Sequence, residues 1–259
     1  MIETVTTPQQ KRRFLRGLSH PAVHGIHAEL GAYFKAYHNL SQGPWMFLTS
    51  GEGQAPLSIG LRGTTALVSG TACPEELASC LSFLGVKQLR TTGLVPAGWV
   101  AAEPVVRMVL TQPVVPPKPW RVELEQQPSL FQVSQLLQNS DSFRGESPQA
   151  VEEFYAQTCR MVNQGLAQVW AVQHQGYLVA TAGAYSIWPC RAYLSGVETL
   201  PSWRGMGLAS WLVGYLSQDL QKKGLEVELV CRPKHEGFYQ RLGFERREKT
   251  AFWVPDTTI

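Results

Sequence analysis

Between Arg191 and Cys231 the hydrophobic period of this 259-residue chain changes twice, and no other feature constrains its fold as much. "RAYLSGVETL" (191–200) reads as an extended run. Leu208, Trp211, Leu212, Tyr215, Leu216 and Leu220 then recur at three- and four-residue steps, the pattern of a helix with one face on a sheet. Gly224 ends that helix and "LEVELVC" (225–231) is again a strand. Two strands separated by one packed helix read as a parallel strand–helix–strand unit. At its turning point lies "LPSWRGMGLASWL" (200–212), with a pair of glycines and an arginine where an ordinary turn would need neither.

The surroundings extend this unit. "TQPVVPPKPW" (111–120) holds four prolines from Pro113 to Pro119, which remove amide donors and fix φ, so neither a helix nor a central strand suits it. It is taken as a rigid linker over 113–119, separating a domain of residues 1–112 from one of 120–259. In the second domain "WRVELEQ" reads as a strand and "PSLFQVSQLLQN" as a helix. "SPQAVEEFYAQTCRMVNQG" reads as another, with Ser147 as N-cap and Pro148 at its first position. "LAQVWAVQHQGYLVATAGAYSIWP" alternates around Gly176 as a hairpin, "EGFYQRLGF" is a short helix, and "ERREKTAFWV" a closing strand. The order is βααβββαβαβ, a mixed α/β (α+β) architecture. The first domain mixes helices at 8–18 and 20–40, strands around 45–50, 55–63 and 64–70, a helix at 74–85 and two further extended runs. "GLRGTTALV" (60–68) is read there as a hairpin turn rather than a second glycine junction.

Charge and cysteines narrow the function. Net charge is +3, with ten Lys/Arg against six Asp/Glu before residue 120 and thirteen against fourteen after it. Neither half has the basic stripe of a nucleic-acid binder. The five cysteines are odd in number and scattered, without the spacing of a zinc site or a disulfide framework. His20, His24 and His27 share a helical spacing but have no carboxylate or cysteine partner, so no metal is expected. A polar, basic N-terminus and the lack of a long apolar run point to a cytoplasmic protein that does not enter a membrane. A monomer or homodimer is expected.

A helix leaves its first four amides unpaired, and those amides together with the helix dipole form an anion site. Gly205 and Gly207 clear side chains from the approach, and Arg204 can add a charge-assisted bond. The alternative is a tight turn with Arg204 on the surface. The Walker motif needs a longer glycine loop ending in Lys and Ser/Thr, and the dinucleotide fingerprint needs a third glycine and an acidic residue at the next strand end, where this chain has Leu229, Val230 and Cys231.

Arg204, Gly207 and Ala209 match a Q/R-x-x-G-x-G/A signature, and "VETLPSWRGMGLASWL" with "FYQRLGFE" resembles the two motifs of the GNAT superfamily of acyl-CoA-dependent N-acyltransferases. The resemblance covers about residues 120–255, and the first half faintly resembles the degenerate companion domain of tandem members. It implies acetyl-CoA as cosubstrate and no metal. The pyrophosphate would rest on the amides of the loop from Trp203 to Ala209, with Arg204, Gly205, Met206, Gly207, Leu208 and Ala209 as its ligands, and the pantetheine arm near Val197 to Leu200, that is Val197, Glu198, Thr199 and Leu200. An amide near Thr199 would polarise the thioester carbonyl. Tyr239 would be the general acid for the departing thiolate and Glu198 the base, given a bulge that turns it toward the cleft. Family members often carry an asparagine seven residues before that tyrosine; Arg232 stands there, so either the anchoring of cofactor or helix differs or Arg232 meets the phosphates of coenzyme A. Cys190 and Cys231 read as inert thiols, His235 as an exposed histidine near a helix start, and the acceptor cleft is expected around the first two helices of this half and the loops near Trp170 and Trp188.

Three classes follow. The first is an N-acetyltransferase acting on a primary amine of a small molecule or peptide. The second is a non-catalytic acyl-CoA sensor or scaffold, and the third, disfavoured by the missing glycine and acid, is a dinucleotide oxidoreductase.

Overall fold

A computed structural model describes residues 1–19, 26–51, 56–70, 73–91, 95–138, 140, 143 and 147–256. The chain divides into two units: Met1–Val106 with the residues from Glu248 onward, and Arg107–Arg247.

The first unit contains β1 (Ile2–Thr4), α1 (Pro8–Leu18), α2 (His27–Tyr37), β2 (Met46–Ser50), β3 (Ser58–Arg62), β4 (Thr65–Ser69), α3 (Pro74–Phe83), β5 (Gln88–Thr91) and the first part of β6 (Trp99–Leu110). Strands β1 to β4 pair antiparallel in succession, and β5 joins β4 in parallel after the α3 crossover. The expected β3–β4 hairpin is present, with Arg62 opposite Thr65. Leu57, Ile59, Val68, Leu77, Leu81 and Leu89 pack as its core. His27 starts α2 and is buried, while His20 and His24 lie outside the described residues.

The second unit continues β6 and adds β7 (Glu123–Glu125), α4 (Leu130–Gln138), α5 (Pro148–Asn163), β8 (Gln168–His174), β9 (Tyr177–Ile187), β10 (Arg191–Thr199), α6 (Leu208–Lys222), β11 (Glu226–Cys231), α7 (Glu236–Gln240) and the start of β12 (Phe244–Pro255). This is the βααβββαβαβ order read from the sequence. Ser147 caps α5 by accepting from the Ala150 amide at 3.2 Å, and Gln175 and Gly176, both at positive φ, turn the β8–β9 hairpin. Strands β7 to β10 are antiparallel, and β11 lies parallel to β10 after α6. Leu208, Leu212, Leu216 and Leu220 are buried along α6, whose Tyr215 meets Trp170 of β8 with ring centroids 5.7 Å apart. The sheet's other face carries α4 and α5, packed through Val133, Leu137 and Phe154 on Val169 and Tyr185. Burying two such faces is the main driving force for this layer arrangement.

Two boundaries differ from the sequence reading. The proline run is no linker: the Val114 amide donates to Leu242 O at 3.1 Å, and Lys118 sits over Trp211 at 5.9 Å. Gly214 allows this strap to lie on α6, because a Cβ there would overlap Val114 O. A segment without amide donors can still pack closely through its carbonyls and rings. The second departure is the end of the chain. From Glu248 onward β12 belongs to the first unit, pairing Phe252 with Arg90 and Trp253 with Leu89. Trp253 packs against the core of that first unit.

Candidate active site

Strands β10 and β11 are paired only from Arg191–Glu226 to Leu194–Leu229; beyond that point they part. On its other side β10 stays paired with β9, but Ser195 faces Gly183 and Glu198 faces Thr181, so β10 carries one extra residue. That is a β-bulge, and Gly196 within it is left-handed at φ +60. The bulge needed to redirect Glu198 is therefore present. Val197 and Glu198 lie on β10 beyond its last pair with β11.

Thr199 closes β10, the turn Pro201–Trp203 follows, and α6 begins at Leu208. Gly205 and Gly207 stand at φ +79 and +78, a region that costs other residues about 1–2 kcal/mol. A Cβ at either would meet nothing within 4 Å, so the glycines are required for backbone shape at an open surface. No side chain caps α6, and its first backbone bond is Trp211 N to Gly207 O. Among the described residues the amides of Gly205, Met206, Gly207, Leu208, Ala209 and Ser210 have no acceptor. Six consecutive free donors at the positive end of a 15-residue helix form an anion cradle.

The corresponding helix of the first unit is the opposite. Glu75 and Glu76 occupy the first turn of α3, and Glu76 Oε1 accepts from the Ile2 amide at 2.9 Å and pairs with the N-terminal ammonium at 3.2 Å. Two carboxylates in that first turn would repel a bound anion.

Arg204 is not poised toward the cradle alone. Its Nε donates to Thr199 O at 3.0 Å and a terminal nitrogen to Glu198 Oε1 at 2.9 Å. The same Oε1 accepts from the Thr199 amide at 3.0 Å. Thus the proposed base, the proposed phosphate ligand and the amide expected to polarise a carbonyl are bound to one another. The Leu200 amide is also engaged, donating to Val179 O at 2.9 Å. Thr199 Oγ1, by contrast, is buried without a partner.

Across the gap, β11 ends at Cys231, and Arg232, half-buried, leads into the turn Pro233–His235 and α7. Glu236 anchors that helix through Arg246 of β12, with Arg246 Nε to Oε1 at 2.7 Å and a second bond to Oε2. Tyr239 lies on α7, half-buried, its ring edge-on to Phe238 and Phe244. Burial, then the neighbouring Cys231, pushes its phenol above the usual value, so it keeps its proton. Burial also raises the Cys231 thiol to about 11, and its Sγ lies 3.7 Å from Met108 Sδ. Such a thiol is neutral and inert. One sequence expectation fails here, since Trp170 is buried under α6 rather than beside a cleft; Arg204, expected at phosphate, bonds Glu198 and Thr199 O. One residue escaped notice, Tyr185, whose ring lies on Gly183 and Gly196 at the bulge. Isolated glycines in two adjacent strands were the available signal.

Residues 132–244 match the Acetyltransferase (GNAT) family. That match spans most of the second unit. No curated protein matches the sequence. Among solved structures, a Drosophila protein superposes with TM-score 0.66 at 15% identity over 98% of each chain. A tandem GNAT protein from the clavulanic acid biosynthesis pathway gives TM-score 0.66 at 13% identity, again over 98% of each chain. A GNAT-family acetyltransferase from Colwellia psychrerythraea gives 0.59 at 12%, covering 98% of this chain and 99% of its own. The fold over nearly the whole chain is that of GNAT proteins, in a tandem arrangement.

Proposed function

We propose that this protein moves an acetyl group from acetyl-CoA to a primary amine of a small molecule or peptide, by direct attack in a ternary complex. The observation that carries this reading is the run of six unpaired amides beside the gap where β10 and β11 part. The amides suit the pyrophosphate and the gap suits the pantetheine arm, whose amides can pair with the open edge of β10. Arg204 and Arg232 flank the two ends of this path.

The amine lone pair attacks the thioester carbonyl, a C–N bond forms, and the C–S bond breaks. Glu198 takes the amine proton once Arg204 turns to phosphate, and Tyr239 gives its proton to the departing thiolate. A phenol raised above its ordinary pKa is a weak acid, but a thiolate entering the same buried surroundings becomes more basic too. Each proton transfer contributes about 10²- to 10⁴-fold. The near-even charge balance suits a small acceptor better than nucleic acid, and the free thiols Cys73, Cys80, Cys159, Cys190 and Cys231 suit the cytoplasm.

The Glu198–Arg204 pair favours a second reading, a non-catalytic acyl-CoA sensor in which the carboxylate stays tied. Calorimetry with acetyl-CoA, followed by thiol release with a panel of primary amines, separates the two. Heat with release supports the transferase and heat without release the sensor; no heat at millimolar ligand removes both.

A further inference from the structure

A second bulge lies in β9, where Tyr193 faces Ser186 but Leu194 faces Ala184, leaving Tyr185 unopposed. Its side chain joins the cluster under α4 and α5, tilted against Phe154 at 5.4 Å. The ring then crosses Gly183 and reaches β10. A Cβ on Gly196 would lie 2.6 Å from its Cε2 and 2.8 Å from its hydroxyl oxygen. The hydroxyl thus ends at the bulge that opens the gap.

This hydroxyl is sealed from solvent and has no hydrogen-bond partner. Thr181, whose hydroxyl donates to Trp170 O at 3.1 Å, lies near enough to offset part of the rise that burial imposes on the phenol, but not at hydrogen-bond geometry to it. An unpaired buried hydroxyl is destabilising, and phenylalanine would fill the same space without that cost. Meanwhile two amides at the strand end are spent, that of Thr199 on Glu198 and that of Leu200 on Val179 O. A thioester carbonyl at the bulge, which gathers negative charge as the amine attacks, needs a donor.

We propose that the Tyr185 hydroxyl donates to the acyl carbonyl oxygen, and so distinguishes an acylated carrier from the free thiol. This rests on the acyl-CoA reading above. Contact requires the bulge to yield slightly at Gly196, which bears no side chain to obstruct it.

The test compares acetyl-CoA with CoA by titration calorimetry on the wild-type chain and on Tyr185→Phe, with thermal melts of both. The wild type prefers acetyl-CoA, and Tyr185→Phe binds CoA unchanged while losing about 2- to 13-fold of that preference, the range of one neutral hydrogen bond. Its melting temperature stays level or rises. A retained preference in Tyr185→Phe, an equal loss of affinity for both ligands, or a wild type indifferent to the acetyl group overturns the assignment. A wild type that binds neither ligand overturns the acyl-CoA reading beneath it, a distinct result.

Discussion

Neutralising the proposed base should tighten the cosubstrate while stopping the reaction. Glu198→Gln keeps the side-chain shape but removes the charge that holds Arg204. The Glu198 side chain is 15% exposed and that of Arg204 is 58% exposed, so solvent screens the pair and it contributes about 0.2–1 kcal/mol. Releasing that energy to a competing pyrophosphate lowers the dissociation constant for CoA by about 1.4- to 5-fold. Turnover falls by about 10²- to 10⁴-fold, because the amine proton loses its acceptor. Calorimetry at low and high salt reads the first effect, which shrinks as salt screens it; thiol release reads the second. In an Arg204→Met background the substitution brings little gain, since the residue it would liberate is absent. Weaker CoA binding by Glu198→Gln, or an equal gain in the Arg204→Met background, refutes the competition.

Other expectations concern the frame around the site. Gly207→Ala costs about 1–2 kcal/mol through its left-handed backbone, and it weakens CoA binding; Gly214→Ala, which pushes the proline strap off α6, costs about 1–3 kcal/mol in urea melts with the cradle left in place. Glu228→Leu removes the carboxylate to which the buried Arg107 donates, its Nε and terminal nitrogen bonding Oε2 at 2.9 and 2.6 Å, and destabilises by about 3–5 kcal/mol; adding Arg107→Leu restores most of the loss. At pH 8 a disulfide reagent labels exposed Cys73 and Cys190 quickly and Cys231 only on unfolding, since a thiol with pKa about 11 is about 0.1% ionised there. Because that pKa is raised in the folded state, the stability it contributes is full below the ordinary thiol range and is lost as pH climbs toward 11. A pH titration of unfolding in which Cys231→Ala removes this alkaline loss would agree; an unchanged loss would not.

Periodicity sufficed for the element order of the second unit because its helices and strands are amphipathic and end at glycines, as at Gly165 and Gly224. The cradle was legible for the same reason: Gly205 and Gly207 stand where a strand pattern gives way to a helix pattern. Side-chain partnerships were not. Arg204 could meet phosphate or Glu198, and only the bulge at Gly196, which shifts the facing of every later residue in β10, brings the two within 2.9 Å. Tyr185 was hidden likewise, since strict alternation gives no warning that a bulge will turn it. The domain boundary was misplaced because prolines mark a segment that cannot join a ladder, not one that packs on nothing. Trp253 shows the converse, an aromatic whose partner Leu89 is distant in sequence and carries no local signature.

The most direct measurement is amide NMR of the labelled protein during titration with CoA. The account predicts that the signals of Gly205 through Ser210 move together and saturate with the calorimetric affinity, while those at the start of α3 stay fixed. Tight binding that leaves Gly205 to Ser210 unmoved, or no binding at millimolar CoA, would contradict it.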